Sequence, residues 1–161
     1  MGDIYEGNDL EEARNWLRAR VEDGAECPCC TQFAKVYKRK LTSCGARTLI
    51  RMWRDSGLEW VHVPTLLKTQ LPDIAHQGGY ATLGQHWRLI VESPDEREDG
   101  GRVGWWRVTE LGERFVREQV TIQKYARLYD GRCMNLVGSE ISIKDALGTK
   151  FDYNELMGRD E

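Results

Sequence analysis

From Arg88 to Glu118 the chain reads RLIVESPDEREDGGRVGWWRVTELGERFVRE. Two short β-branched and aromatic runs, Leu89-Ile90-Val91 and Trp105-Trp106-Arg107-Val108, flank a polar stretch holding Gly100-Gly101, which predicts a long hairpin. Thr109 can cap a helix that turns Leu111, Phe115 and Val116 inward. An isolated hairpin is barely stable in water, so its apolar face needs a cover. Trp87, Leu89, Val91, Trp106 and Val108 form that face by their period of two, and the helices around it must supply the other layer.

The sequence upstream supplies those helices. Thr42 or Ser43 can cap a helix over 43–56 with Ala46, Leu49, Ile50 and Trp53 on its buried side. Arg47, Arg51 and Arg54 recur at i, i+4 and i+7 and predict an exposed cationic stripe. A short strand over 60–63 follows, Pro64 opens the next helix, and a glycine-interrupted helix over 79–87 leads into the hairpin. Near the start, Asn8 or Asp9 can cap a helix with Leu10, Ala13, Trp16, Leu17 and Val21 inward, ended by Gly24. Phe33, Val36, Tyr37 and Leu41 fall three to four apart and predict a helix over 31–41. Toward the other end Asp130-Gly131 marks a tight hairpin, and Leu147, Phe151, Tyr153 and Leu156 predict short docking helices.

The order helix, strand, helix, helix, hairpin, helix over 43–119, with the stretch from His86 to Val116, resembles the winged helix-turn-helix of bacterial regulators. The resemblance implies an α+β fold: a winged-helix domain at 43–119, an N-terminal helical and cysteine-rich extension at 1–42, and a C-terminal hairpin with short helices at 120–161. It also implies that the helix at 79–87 approaches the major groove of duplex DNA through Tyr80, Thr82, Gln85 and Arg88, and that the hairpin loop is the wing. The wing from Glu92 to Asp99 carries five carboxylates and one arginine, which repel phosphate. Phosphate contacts are therefore expected from Lys35, Lys38, Arg39 and Lys40 with Arg47, Arg51 and Arg54.

The charge distribution fits that expectation. Residues 1–26 carry 3 Lys/Arg against 8 Asp/Glu, residues 27–90 carry 9 against 3, and residues 91–161 carry 11 against 15. A basic module between acidic flanks can attract a polyanion although the net charge is -3.

Cys27-Pro28-Cys29-Cys30 has the Cys-x-x-Cys spacing of zinc knuckles, in which a tight turn aims two sulfurs at one metal ion. A structural zinc needs more than two ligands. Cys44 is the candidate third, with His62, Cys133 or Cys29 as a fourth; the other reading is small buried thiols packing as compact hydrophobes. A disulfide framework conflicts with five cysteines in a reducing compartment, and a redox pair would follow a strand of a βαβ unit.

His62, His76 and His86 have no metalloenzyme spacing, and neither a nucleophile elbow nor a phosphate-binding glycine loop is present, so a non-enzyme is expected. No apolar run is long enough to span a membrane, and the acidic N-terminus is unlike a signal peptide, so a cytoplasmic protein is expected. The cysteine turn and the ending from Lys124 to Met157 also resemble small proteins of tailed bacteriophages, which implies a bacterial host cell. The reading that follows is a phage-encoded DNA-binding regulator of transcription with a structural zinc, able to pair through its N-terminal helix as a homodimer. The alternative is a protein-interaction module, a host-takeover or inhibitor protein that meets a host protein through its acidic wing and binds no DNA.

Overall fold

The computed structural model describes residues 4–77, 79–95 and 104–159. The fold is α+β, and the chain divides into two compact units. The first comprises residues 1–39 and 126–135, the second residues 40–125 and 136–161.

The first unit opens with α1 (Leu10–Arg18), whose N-cap Asp9 accepts the amide of Glu11 at 2.7 Å. Helix α1 buries Ala13 alone, and Leu10 stays 57% exposed. Arg20 lies 4.3 Å from the ring centroid of Trp16 and donates to its carbonyl. Strands β1 (Ala25–Glu26) and β2 (Phe33–Ala34) pair antiparallel, Ala25 opposite Ala34, with the cysteine turn between them. Strand β3 (Tyr37–Lys40) follows directly. The helix expected over 31–41 is thus two strands. The burial pattern gives the reason: Ala34 and Val36 are buried while Phe33 and Tyr37 are exposed, a period of two that helix-spaced aromatics conceal. The same unit holds residues 126–135, in which β7 (Ile122–Tyr129) turns through Asp130-Gly131 into β8 (Arg132–Ile141). Both turn residues have positive φ, 52° and 75°, as a two-residue hairpin of the primed type requires. Among neighbouring strands the order is β3-β7-β8.

The second unit holds most of the core. Thr42 caps α2 (Ser43–Ser56) by accepting from Gly45 at 3.1 Å, and Leu49, Ile50 and Met52 are fully buried. Then come β4 (Val61–His62), α3 (Val63–Gln70) with Pro64 in its first turn, a 3-10 turn at Ala75–Gln77, and α4 (Ala81–Gln85). Strands β5 (Ile90–Glu92) and β6 (Trp105–Val108) pair antiparallel, Ile90 opposite Val108, and β4 adds to the other edge of β6 with Val61 opposite Trp106. The sheet order is therefore β4-β6-β5. The expected inner face holds for Trp87, Leu89, Trp106 and Val108, all buried, but Val91 points outward at 39% exposure.

Thr109 caps α5 (Glu110–Val116) through the amide of Gly112, with Phe115 and Val116 buried and Leu111, expected inside, exposed. A Cβ on Gly112 would collide with the carbonyl oxygen of Leu89, so the absent side chain lets α5 lie against the entry to β5. Two indoles are tied by their N–H groups: Trp53 donates to Glu113 at 2.9 Å and Trp87 to the carbonyl of Gln123 at 2.8 Å. Helices α6 (Ile143–Leu147), started by a Ser142–Asp145 capping box, and α7 (Tyr153–Leu156) close the unit, and the buried Tyr153 hydroxyl donates to the carbonyl of Val116.

Candidate nucleic-acid interface and cysteine turn

The expected phosphate contacts separate into two groups. On β3 every residue is exposed. Tyr37 and Arg39 line one cleft, and alternation places Lys38 and Lys40 on the opposite face of the strand. Lys35 is half-buried with its ammonium 5.5 Å from the ring centroid of Tyr37.

The arginines of α2 do not form the free stripe that their spacing predicts. Arg47 donates to both carboxylate oxygens of Asp73, at 2.8 and 3.3 Å, and its guanidinium lies 4.4 Å from the ring centroid of Phe151. Its side chain retains only 11% exposure. Arg51 pairs with Asp55 at 3.0 Å, and Arg54 donates to the carbonyl of Leu156 at 2.8 Å. Asp73 and the α7 carbonyl lie too far along the chain for helical spacing to announce them as partners, whereas Asp55 stands at i+4 from Arg51, where that spacing offers it. The hydrogen bond from Arg47 holds the Asp73 carboxyl below the usual carboxylate range.

Tyr80 is half-buried with its ring edge-on to Trp106 at 6.0 Å, and the Thr82 hydroxyl donates to the carbonyl of Gly79 at 2.8 Å. Both side chains are therefore engaged within the unit. Gln85 and Arg88 are exposed, and Arg88 has a left-handed φ of 57°. Its carbonyl accepts the Thr109 hydroxyl at 2.7 Å, which holds the junction between α4 and β5. Helix α4, at five residues, is shorter than the expected 79–87. Asp95 is described, whereas Glu96, Arg97, Glu98, Asp99 and the Gly100-Gly101 pair of the wing lie outside the described residues.

Cys27 and Cys30 are brought together by the β1–β2 turn. The Cys27 amide donates to the carbonyl of Gln32 at 2.8 Å and the Thr31 amide to the carbonyl of Cys27 at 2.9 Å. Thr31 takes a φ of 64°, which costs a β-branched residue about 1–3 kcal/mol and persists only where the surroundings dictate it. Backbone N–H groups of Cys30 and then Cys29 donate to the Cys27 sulfur and lower the pKa of its thiol. Both Cys27 and Cys30 line a cleft of about 470 Å³ with Phe33, Tyr37 and Arg39. Cys44, the expected third ligand, lies in the first turn of α2 in the other unit, and among the described residues no three His, Cys, Asp or Glu side chains form a ready metal cluster.

What the sequence reading missed is the second wall of this cleft, made by Leu128, Tyr129 and Asp130. Asp130 is recognisable in the sequence only as a turn residue, because nothing local tells that residues 126–135 join the N-terminal unit.

No protein-family model matches the chain, and no match is found among curated proteins or among solved structures. Among the described residues no helix is long and apolar enough to cross a membrane.

Proposed function

We propose that the chain is a DNA-binding winged-helix protein, a phage-encoded regulator acting in the bacterial cytoplasm without catalytic activity. The observation that carries the reading is the second unit's topology: α2, β4, α3, α4, β5, β6 and α5 in that order, with sheet order β4-β6-β5. In that arrangement the short helix before the hairpin faces the major groove, and the exposed side chains of Gln85 at its end and Arg88 just beyond it are the base-edge readers. Phosphate contacts fall to Lys38 and Lys40, because Arg47, Arg51 and Arg54 are occupied by internal partners.

Fluorescence anisotropy with a random duplex at low salt tests the reading. Each phosphate contact contributes about 0.9 to the salt slope, so replacing Lys38 and Lys40 by Glu together should reduce that slope by about 2. Arg88→Ala should weaken binding to a selected site while leaving random-duplex affinity within about twofold. Absence of duplex binding would sink the proposal. The protein-interaction reading draws support from the pairing of Arg47 with Asp73 and of Arg51 with Asp55, which neutralises two of the three α2 arginines; it predicts capture of a basic host protein that is lost when Asp95, Glu96, Glu98 and Asp99 become Ser.

A further inference from the structure

We propose that the cleft of the first unit binds single-stranded DNA, with the rings of Phe33 and Tyr37 stacking on bases and Lys35 and Arg39 meeting phosphates. The duplex reading places its contacts on Lys38, Lys40, Gln85 and Arg88, so neither proposal rests on the other.

One wall of the cleft alternates rings and cations. Phe33, Lys35, Tyr37 and Arg39, every second residue from β2 into β3, all line the space of about 470 Å³. Tyr129 adds a third ring from the opposite wall. The residues between the first three, Ala34 and Val36, are buried.

The rings stand out against the rest of the unit. Phe33 is 58% and Tyr37 52% exposed, whereas the buried apolar residues described in this unit are Ala13, Ala34, Val36 and Ala126. A unit that buries small side chains and exposes aromatic ones in a shared cleft has a surface shaped to meet a partner.

Both rings are held in place. A Cβ on Gly24 would collide with the ring of Phe33, so that ring lies against bare backbone. The Lys35 ammonium lies 5.5 Å from the centroid of Tyr37, setting a cation beside a ring as a nucleotide sets a phosphate beside a base. Rings fixed before binding lose little side-chain entropy when a base stacks on them.

Charge and polarity select the occupant. Among the described residues the cleft holds Lys35 and Arg39 against a single carboxylate, Asp130, so its field attracts a polyanion. Exposed rings interleaved with cations suit a strand whose bases are unpaired, because a duplex keeps its base faces stacked inside. The side chains of Leu17, Ala34 and Leu128 offer no hydrogen bond to a 2′-hydroxyl, and burying that group unpaired is costly, so deoxyribose fits these walls better than ribose. A second cleft of about 900 Å³ shares Cys27 and Phe33 and adds Tyr5, Trp16 and Arg20, but Asp23 and Glu26 line it as well. The cleft with the cationic wall is therefore the one assigned to the strand.

Fluorescence anisotropy of the full chain with a short labelled oligothymidylate, which forms no duplex, tests this. Phe33→Ala and Tyr37→Ala should each weaken binding by at least about fivefold, the loss of one stacked base, while Tyr37→Phe should stay within about twofold. Replacing Lys35 and Arg39 by Gln together should lower the salt slope by about 1.4, at about 0.7 per phosphate contact. Asp130→Asn removes the repelling carboxylate with a residue that tolerates the positive φ of that turn, and should tighten binding by at least about twofold at low salt. That gain keeps the test decisive if the alanine variants fail to fold. Oligodeoxyuridylate should bind more tightly than oligouridylate; equal or reversed order would overturn the assignment to DNA. Absence of oligothymidylate binding overturns the proposal, as does equal affinity for polyglutamate, which would show that charge alone is recognised. So does self-association that Phe33→Ala abolishes in a chain that binds no strand, which would assign the rings to a second copy.

Discussion

Asp73 shows how one residue can redirect an expected binding surface. It takes both N–H groups of Arg47 and so keeps the guanidinium against Phe151 instead of in solvent. Because its carboxyl titrates below the ordinary range when folded, the contribution of the pair to stability is complete above the unfolded value of about 3.9. It is lost as pH falls through the lower folded value. Urea midpoints measured from pH 6 down to pH 3 should therefore fall less steeply in Asp73→Asn than in the native chain. Parallel curves would show that the pair contributes nothing. The spacing of Arg47, Arg51 and Arg54 was readable in the sequence and the helix that bears them is as expected. The i+4 partner of Arg51, Asp55, was within reach of the same spacing, but the partners of Arg47 and Arg54 were not readable, because Asp73 and the α7 carbonyl reach α2 only through the fold.

At the level of elements, cap residues and turns were the most informative part of the sequence. Thr42, Thr109 and Asp9 start their helices, Pro64 sits in the first turn of α3, and Asp130-Gly131 joins β7 to β8. Each works through a local hydrogen bond or a fixed dihedral that needs no distant partner. Helix α1 and the β2–β3 region were harder to read because large apolar side chains there face outward, Leu10, Phe33 and Tyr37 among them. Periodicity then reports the wrong face or the wrong element. Helix α5 depends on its glycine: Gly112→Ala should destabilise the chain by about 1–3 kcal/mol in urea denaturation, the cost of forcing a methyl against Leu89. Alanine is the better helix former by about 1 kcal/mol, so a stability gain would show that α5 and β5 are not held at backbone contact.

Across the whole molecule, apolar burial is unequal. Leu49, Ile50, Leu83, Leu89, Ile90 and Phe115 are fully buried in the second unit, whereas among the described residues of the first none larger than Val36 is buried. Amide exchange should follow that inequality, with α2 and β5 exchanging at least about tenfold more slowly than residues 25–34. Equal protection in both units would mean that they open together. The two units are also threaded in an unusual order: the second is largely an insertion between residues 39 and 126 of the first. A ribosome releases Cys27 and Cys30 long before Asp130. At about 5–20 residues per second the N-terminal hairpin waits several seconds for its opposite wall. Through that interval its thiols are exposed to whatever the cell offers them, and the second unit is left waiting longer still, because α6 and α7 leave the ribosome last.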